Sequence, residues 1–211
     1  MKPTPKSFPN LGFLETKLNH KAIKYLWSVI DKHKECEKHK LIGHISHSYR
    51  LVDENNWFFK NVLSEQINAY GHYFQNMGDS VATNQSHPYF LESFWVNFQK
   101  ETEFNPLHDH SGVYSFVVWM KIPTDFVEQN KNIICNNKKA SSFELFYTNT
   151  TGKISSVNYP LDSSYEGTLL FFPSQMPHSV YPFYSCKEYR ISISGNIMLD
   201  TKKVFDCSSA G

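Results

Sequence analysis

The sequence predicts a mainly β fold with flanking N-terminal helices, arranged as an antiparallel barrel or sandwich. From about Tyr89 onward, short apolar segments alternate with polar residues at the period of two that is typical of strands, and polar turns separate them. Before Tyr89 the apolar residues recur at helical spacing, and no helical pattern interrupts the strands that follow. We therefore expect two helices to pack on one outer face of the β core.

The first third of the chain carries both predicted helices. Apolar residues from Leu14 to Ile30 recur at helical spacing and predict the first helix. Residues 53–75 show the same period, with Asp53 or Asn55 as the N-cap. We expect a single domain over residues 1–211, in which residues 1–80 give helical support and residues 89–198 form the β core.

The predicted strands are rich in β-branched and aromatic residues. They cover residues 94–99, 113–122, 143–148, 168–172, 179–183 and 189–197. The segment 128–140, rich in Asn and Lys, is predicted to be a surface loop, and either a lid or plain disorder would explain its composition.

Composition excludes several classes of function. The 211 residues are 40% hydrophobic and carry a net charge of +1, so the sequence has no basic surface of the kind that nucleic acids select. No apolar run is long enough to span a bilayer, and the N-terminus lacks the apolar segment of a signal peptide. We expect a cytoplasmic protein, in a bacterium or in a phage-infected host cell.

A histidine pair marks the candidate site. In an extended chain the side chains of His108 and His110 point to one face, while Asp109 points away. His178 follows far downstream, next to the apolar strand at 168–172, and dry surroundings favour the neutral imidazole that binds metal ions. The alternative reading is a polar turn with hydrogen-bonded imidazoles. Three histidines that head apolar strands favour the metal site.

The last predicted strand carries an unusual polar face. Alternation places Arg190 and Ser192 on one face of this strand, with isoleucines on the other. Burying an arginine is costly unless an anion or a structural carboxylate pairs with it. Arg190 and Ser192 could therefore bind a carboxylate through hydrogen bonds from the guanidinium and the hydroxyl. Polar groups on other strands that could line the same pocket, or equally lie on the sheet surface, are Asn97, Gln99, Tyr114 and Ser115.

Together these residues resemble a known enzyme family. The segment from Asn105 to His110, with Pro177-His178 and the Arg190–Ser192 pattern, is similar to the 2-oxoglutarate/Fe(II)-dependent dioxygenases of prolyl 4-hydroxylase-like type. The closest likeness is to uncharacterised oxygenases of marine bacteriophages and bacteria, and it covers roughly residues 92–197. The resemblance implies a double-stranded β-helix, also called a jelly roll, of the cupin-like kind.

The resemblance also implies a ligand set and a reaction. His108, His110 and His178 would bind Fe(II) as the catalytic centre, and Arg190 with Ser192 would bind the co-substrate 2-oxoglutarate, beside Asn97 and Tyr114. Most members have aspartate where this chain has a histidine at position 110. Either three histidines hold the iron, as in cupins, or Asp109 substitutes through a different local turn; we favour the three histidines.

The reaction implied is hydroxylation of a peptidyl, prolyl-type or small-molecule substrate, with release of succinate and CO2 and with ascorbate as a compatible reductant. A homodimer is compatible with the sequence. Two rival hypotheses stay open, because a fold does not fix a function. The first is a three-histidine cupin-type metalloenzyme that does not use 2-oxoglutarate. The second is a non-enzymatic viral jelly-roll protein with a binding or structural role.

Overall fold

The computed structural model describes Thr4 and residues 11–32, 35–36 and 43–204, with residues 35–36 as backbone. The strands are β1 (Leu14–Lys17), β2 (Glu35–Cys36), β3 (His47–Arg50), β4 (Tyr89–Gln99), β5 (Asn105–His108), β6 (Tyr114–Lys121), β7 (Ser142–Thr148), β8 (Ile154–Pro160), β9 (Thr168–Pro173), β10 (His178–Val180) and β11 (Arg190–Leu199). The α-helices are α1 (His20–Ile30), α2 (Ser64–Tyr73) and α3 (Phe126–Asn130), and a π-helical turn at Phe59–Leu63 leads into α2.

The described strands form two antiparallel sheets. The larger sheet has the order β1-β9-β6-β11-β4-β3-β2, and the smaller has the order β5-β10-β7-β8. Strands that follow one another in the chain therefore often lie in different sheets, as in a Greek-key or jelly-roll arrangement. This confirms the predicted mainly β class.

Alternation along the central strands of the larger sheet creates two cores. On β6, Phe116 and Val118 join α1 and α2 in one cluster of buried apolar residues. Val117 and Trp119 point the other way, into a second cluster with residues of the smaller sheet. The helices therefore cover one face of the larger sheet, as predicted, and its other face looks toward the smaller sheet and the cavity described below.

The first helix is shorter than predicted. Residues 14–17 form β1, which pairs with residues 168–171 of β9, and α1 begins only at His20. Asn19 is the N-cap, because its side-chain oxygen accepts the N–H of Ala22 at 2.9 Å. The prediction that the helix starts near Leu14 was wrong, since a four-residue strand stabilised by distant pairing leaves no periodic signal of its own.

Asp53 caps the second helical segment. Its carboxylate accepts the N–H groups of Phe58 and Phe59 at 2.8 and 2.9 Å, and the hydroxyl of Tyr25 donates to it at 2.6 Å. Asn55, the alternative N-cap, instead adopts a positive φ of 55°. The side chain of Asp53 therefore connects α1 to the start of the second helical segment.

Five strands were not predicted: β1, β2, β3, β5 and β8. β5 contains Pro106 and lies at an edge of the smaller sheet, where a missing N–H is tolerated. The predicted strand 179–183 is shorter, because β10 ends at Val180 and Pro182 has no N–H to continue the ladder. None of the described helices combines the length and the apolar character that a membrane span requires.

We predict that Asp53→Ala lowers the free energy of unfolding by about 2 kcal/mol, because it leaves two helix N–H groups and a half-buried hydroxyl without their acceptor. Urea denaturation followed by circular dichroism measures the loss. The matched control is Glu54→Ala, which removes only an exposed ion pair with Lys32 and should cost about 0.5 kcal/mol or less. Equal losses in the two variants would contradict the capping role.

Candidate metal centre

The fold brings three distant histidines together. His108 ends β5 and lies directly across the ladder from His178, the first residue of β10. His110 follows two positions after His108, and its ring centroid lies 5.0 Å from that of each of the other two. One ring nitrogen from each histidine lies within 4.8 Å of the others. This spacing suits three ligands of a single ion.

Backbone carbonyls orient two of the rings. Nδ1 of His108 lies 2.7 Å from the carbonyl of Pro106, and Nδ1 of His178 lies 3.0 Å from the carbonyl of Met176. A carbonyl can only accept, so each Nδ1 carries the proton and each Nε2 keeps a free lone pair. Such outer contacts commonly fix the tautomer of a metal-binding histidine.

Burial keeps the three imidazoles neutral. It lowers the pKa of His178 to about 3, and the neighbouring His108 and His110 add to the effect. It lowers the pKa of His110 to about 4, with His108 again contributing, and it also lowers the pKa of His108. Near neutral pH all three rings are therefore in the form that binds a divalent ion.

Aromatic side chains close the sides of the cluster. The rings of Phe143 and Phe172 lie 5.6 and 5.1 Å from that of His178. The indole of Trp95 lies 5.8 Å from His110 in an edge-on arrangement. These rings make the surroundings of the histidines apolar on the protein side. Water therefore reaches the histidines only from the cavity.

Asp109 does not join the cluster. It is exposed, and the ligand-type atoms that group within the described residues belong to the three histidines. Its negative charge opposes the lowering of the pKa of His108 and His110. Asp109 therefore acts on the site as a neighbouring charge at the cavity wall.

A glycine makes the turn that follows the histidine pair. Gly112 has a φ of +117°, a conformation that other residues rarely adopt. A Cβ there would also lie 2.9 Å from the carbonyl of Ile197. The adjoining backbone is held as well, since the N–H of His110 donates to the carbonyl of Ser174 at 2.9 Å. This turn aims His110 at the other two rings.

The larger sheet forms the floor of a cavity of about 450 Å³ below the histidines. Strands β4 and β11 pair so that Gln99 faces Arg190 and Asn97 faces Ser192. All four side chains line the cavity. Alternation predicted that Arg190 and Ser192 share a face, and the structure places that face opposite the histidines.

Arg190 is buried in this floor without a carboxylate. It is 2% exposed, and among the described residues no acidic group lies within ion-pair distance of it. Its guanidinium donates to the side-chain oxygen of Gln99 and to the carbonyl of Tyr181, and Nη1 has no partner. Burial lowers its pKa to about 9, so it still carries its charge at neutral pH.

Tyr114 lies on the wrong face for the role predicted for it. It is fully buried on the helical side of the sheet, where its hydroxyl accepts the N–H of Met77 at 3.0 Å. Neither Tyr114 nor its neighbour Ser115 is among the residues that line the cavity. The prediction that Tyr114 contacts a co-substrate was wrong.

The segment 128–140 is not a wall of the cavity. None of its residues lines the cavity. Its ends are fastened instead: the side chain of Asn130 bonds both backbone groups of Ala140, and Lys139 pairs with the buried Glu144 at 2.7 Å.

Sequence reasoning missed two parts of the site. Trp95 precedes Asn97 by two residues and so shares its face, a signal that was present in the strand pattern. The carbonyl of Tyr181 holds Arg190 through the backbone, which no side-chain pattern could have revealed.

Residues 93–196, about half of the chain, match the sequence profile of a family described as "Putative 2OG-Fe(II) oxygenase". The chain belongs to this family of 2-oxoglutarate- and Fe(II)-dependent oxygenases. The resemblance seen in the sequence is therefore confirmed, over nearly the same span. The narrower likeness to oxygenases of bacteriophages stays a prediction.

Three solved structures share the fold of this oxygenase. An oxidoreductase of the 2OG-Fe(II) oxygenase family from Burkholderia pseudomallei has a TM-score of 0.56 at 12% identity, over 89% of this chain and 84% of that one. SnoK, a carbocyclase from nogalamycin biosynthesis, has a TM-score of 0.53 at 8% identity, over 89% of this chain and 79% of that one. HygX from Streptomyces hygroscopicus was solved with nickel, 2-oxoglutarate and hygromycin B. It has a TM-score of 0.50 at 12% identity, over 90% of this chain and 84% of that one.

These likenesses confirm the double-stranded β-helix. A search of curated protein sequences finds no significant match to this oxygenase.

We predict that the metal-free oxygenase loses stability as pH falls from about 6.5 toward 4. Burial holds the pKa values of His110 and His178 below their usual 6.5, so in this window the unfolded chain binds more protons and protonation favours unfolding. Urea midpoints in the presence of a chelator, at pH 7 and pH 5.5, measure the change.

The reference for this measurement is the double variant His110→Gln, His178→Gln, whose midpoint should fall less between the two pH values. Parallel profiles for the two proteins would show that the histidines are not buried in the neutral form.

Proposed function

We propose that this oxygenase is an Fe(II)- and 2-oxoglutarate-dependent dioxygenase in which His108, His110 and His178 bind the iron. Arg190 and Ser192 bind the distal carboxylate of 2-oxoglutarate, with Asn97 beside them. The reaction proposed is hydroxylation of a peptidyl, prolyl-type or small-molecule substrate, with release of succinate and CO2.

The observation that carries this proposal is the pairing of two unlike sites in one cavity. Three neutral imidazoles with free lone pairs line one side, and a buried cation with an unpartnered N–H group lies on the other. A 2-oxo acid with a second carboxylate has complementary groups at its two ends. The oxo acid end suits the metal ion, and the distal carboxylate suits Arg190.

The donor set fits a divalent iron. Imidazole nitrogens suit borderline ions such as Fe(II), and a site with three protein ligands would leave room for the co-substrate to bind the ion. When bound, iron supplies the redox chemistry that activates dioxygen. The protein orients the ligands through the carbonyls of Pro106 and Met176.

The charges of the site balance when 2-oxoglutarate is included. Three neutral histidines leave the two positive charges of the ion uncompensated by its protein ligands. Arg190 adds a third positive charge across the cavity, while Arg50 and Glu92, which also line it, carry opposite formal charges that cancel in the count. The two negative charges of 2-oxoglutarate offset two of these three positive charges. The exposed carboxylate of Asp109 at the cavity wall offsets the third.

The cavity also sets limits on the substrate. A volume of about 450 Å³ lies within the range of small-molecule sites, so a substrate enters as a small molecule or as one projecting residue of a peptide. Ser93 and Trp95 line the cavity with polar atoms that have no partner in the described residues. These atoms favour a substrate that offers hydrogen-bonding groups.

We place the reaction in the cytoplasm, with ascorbate as reductant.

The second candidate function is a cupin-type enzyme that uses three histidines without 2-oxoglutarate. His110 favours it, because this chain has a histidine where most dioxygenases of the family have aspartate. That function gives the unpartnered Nη1 of Arg190 no role, since no acidic group of the described residues lies within ion-pair distance of this buried positive charge. We therefore rank it second.

We predict that the protein, supplied with Fe(II), ascorbate and 2-oxoglutarate, forms succinate slowly without a primary substrate. Chromatographic detection of succinate measures the rate, and addition of prolyl peptides or small metabolites screens for acceleration. His178→Ala should abolish the activity and lower the Mn(II) affinity. The control is His72→Ala, a histidine on α2 that is not in the cluster. Metal binding without any succinate would favour the cupin-type function.

We predict that Arg190→Ala raises the KM for 2-oxoglutarate by about 30-fold or more, because it removes a buried charge from the distal carboxylate. The Mn(II) affinity should stay within about twofold of wild type, since Arg190 contacts none of the three histidines in the hydrogen bonds described. Titration calorimetry measures the metal affinity separately. Equal losses of metal and co-substrate binding would indicate a folding role instead.

A further inference from the structure

The hydrogen bonds of Arg190 leave one end of its guanidinium free. Nε and Nη2 donate to the side-chain oxygen of Gln99 at 2.9 and 2.7 Å, and Nη2 also donates to the carbonyl of Tyr181 at 2.7 Å. An arginine has five N–H groups, and these bonds use three, so the two that remain are both on Nη1. Nη1 is buried and has no partner in the described part of the chain.

The amide of Gln99 can take only one orientation. Its Nε2 donates to the carbonyl of Glu103 at 2.5 Å and lies 3.5 Å from the carbonyl of Tyr181. The opposite orientation would point an N–H group at the guanidinium and an oxygen at two carbonyls. The oxygen of Gln99 is thereby committed to Arg190.

The nearby carboxylate is directed away from the arginine. Glu103, whose carbonyl holds Gln99, is itself 5% exposed. Its carboxylate accepts the backbone N–H groups of Ser46 and Lys100 at 3.0 and 2.9 Å. The residue that faces Arg190 across the strand pair is thus a neutral amide, while the acid next to it is occupied elsewhere.

We propose that Gln99 is the positioning residue of the anion anchor: it fixes the guanidinium of Arg190 with Nη1 toward the cavity and leaves its charge uncompensated. A carboxylate at this position would orient the guanidinium equally well but would neutralise it. Gln99 thereby makes the cavity selective for 2-oxo acids that carry a second carboxylate. The inference rests on the proposed function, since it concerns the same co-substrate.

Arg190 therefore meets the distal carboxylate end-on through Nη1, and not through the Nε–Nη2 edge that arginine offers in a paired fork. Ser192, the next residue on the same face of β11, is placed to add its hydroxyl to the same carboxylate. Without Gln99 the guanidinium could rotate, and the anchor would lose its fixed direction.

The test compares two ligands on the Mn(II)-loaded protein without dioxygen. The ligands are 2-oxoglutarate and 2-oxopentanoate, which has the same chain length and no distal carboxylate. For Gln99→Glu, titration calorimetry should show 2-oxoglutarate binding weakened by about 30-fold, and 2-oxopentanoate binding within about twofold of wild type. Gln75→Glu, which adds the same charge on the exposed segment after α2, should change neither affinity.

A second variant covers the case in which Gln99→Glu does not fold. Gln99→Met is close in size and neutral, but its thioether sulfur is only a weak hydrogen-bond acceptor. It should weaken 2-oxoglutarate by about fivefold or more, again without an effect on 2-oxopentanoate. Retained 2-oxoglutarate affinity in both variants would overturn the inference.

Other outcomes are equally decisive. Equal weakening of the two ligands would show that Gln99 has only a structural role and would overturn the inference as well. If the wild-type protein binds Mn(II) but discriminates neither ligand, or binds no 2-oxoglutarate, the proposed function itself fails, and this result is distinct from the failure of Gln99 alone.

Discussion

The feature on which the site depends is a buried positive charge that has no acidic group of the described residues within ion-pair distance. Arg190 is almost inaccessible to water, and the groups that accept its hydrogen bonds are a neutral amide and a backbone carbonyl. A charge in this position is costly until an anion enters. The β4–β11 register, which sets Gln99 across from Arg190, is the structural means by which the fold maintains it.

Support for this arrangement extends to the outer face of the smaller sheet. The hydroxyl of Tyr181 donates to Glu144 at 2.8 Å, and Glu144 is paired with Lys139. Tyr181 is thus held at its hydroxyl on one side while its carbonyl accepts from Arg190 on the other. The anchor for the proposed anion and the histidine cluster are therefore carried by two sheets that pack against each other.

Much of the site could be read from local patterns in the sequence. Period-two alternation correctly put Arg190 and Ser192 on one face, and the His108-Asp109-His110 spacing indicated which side chain points away. Tyr114 failed because the residue was considered without its neighbours, although Phe116 and Val118 mark its face as apolar. β1, β3 and β5 could not be predicted, since their stability comes from pairing with residues far along the chain.

The central claim is that three histidines and Arg190 hold the two ends of one co-substrate. A crystal structure of the protein grown with Mn(II) and 2-oxoglutarate, without dioxygen, tests it most directly. We expect the ion on Nε2 of His108 and His178 and on the ring of His110, with the distal carboxylate at Nη1 of Arg190 and the hydroxyl of Ser192. An ion bound by Asp109, or a carboxylate placed away from Arg190, would contradict the account.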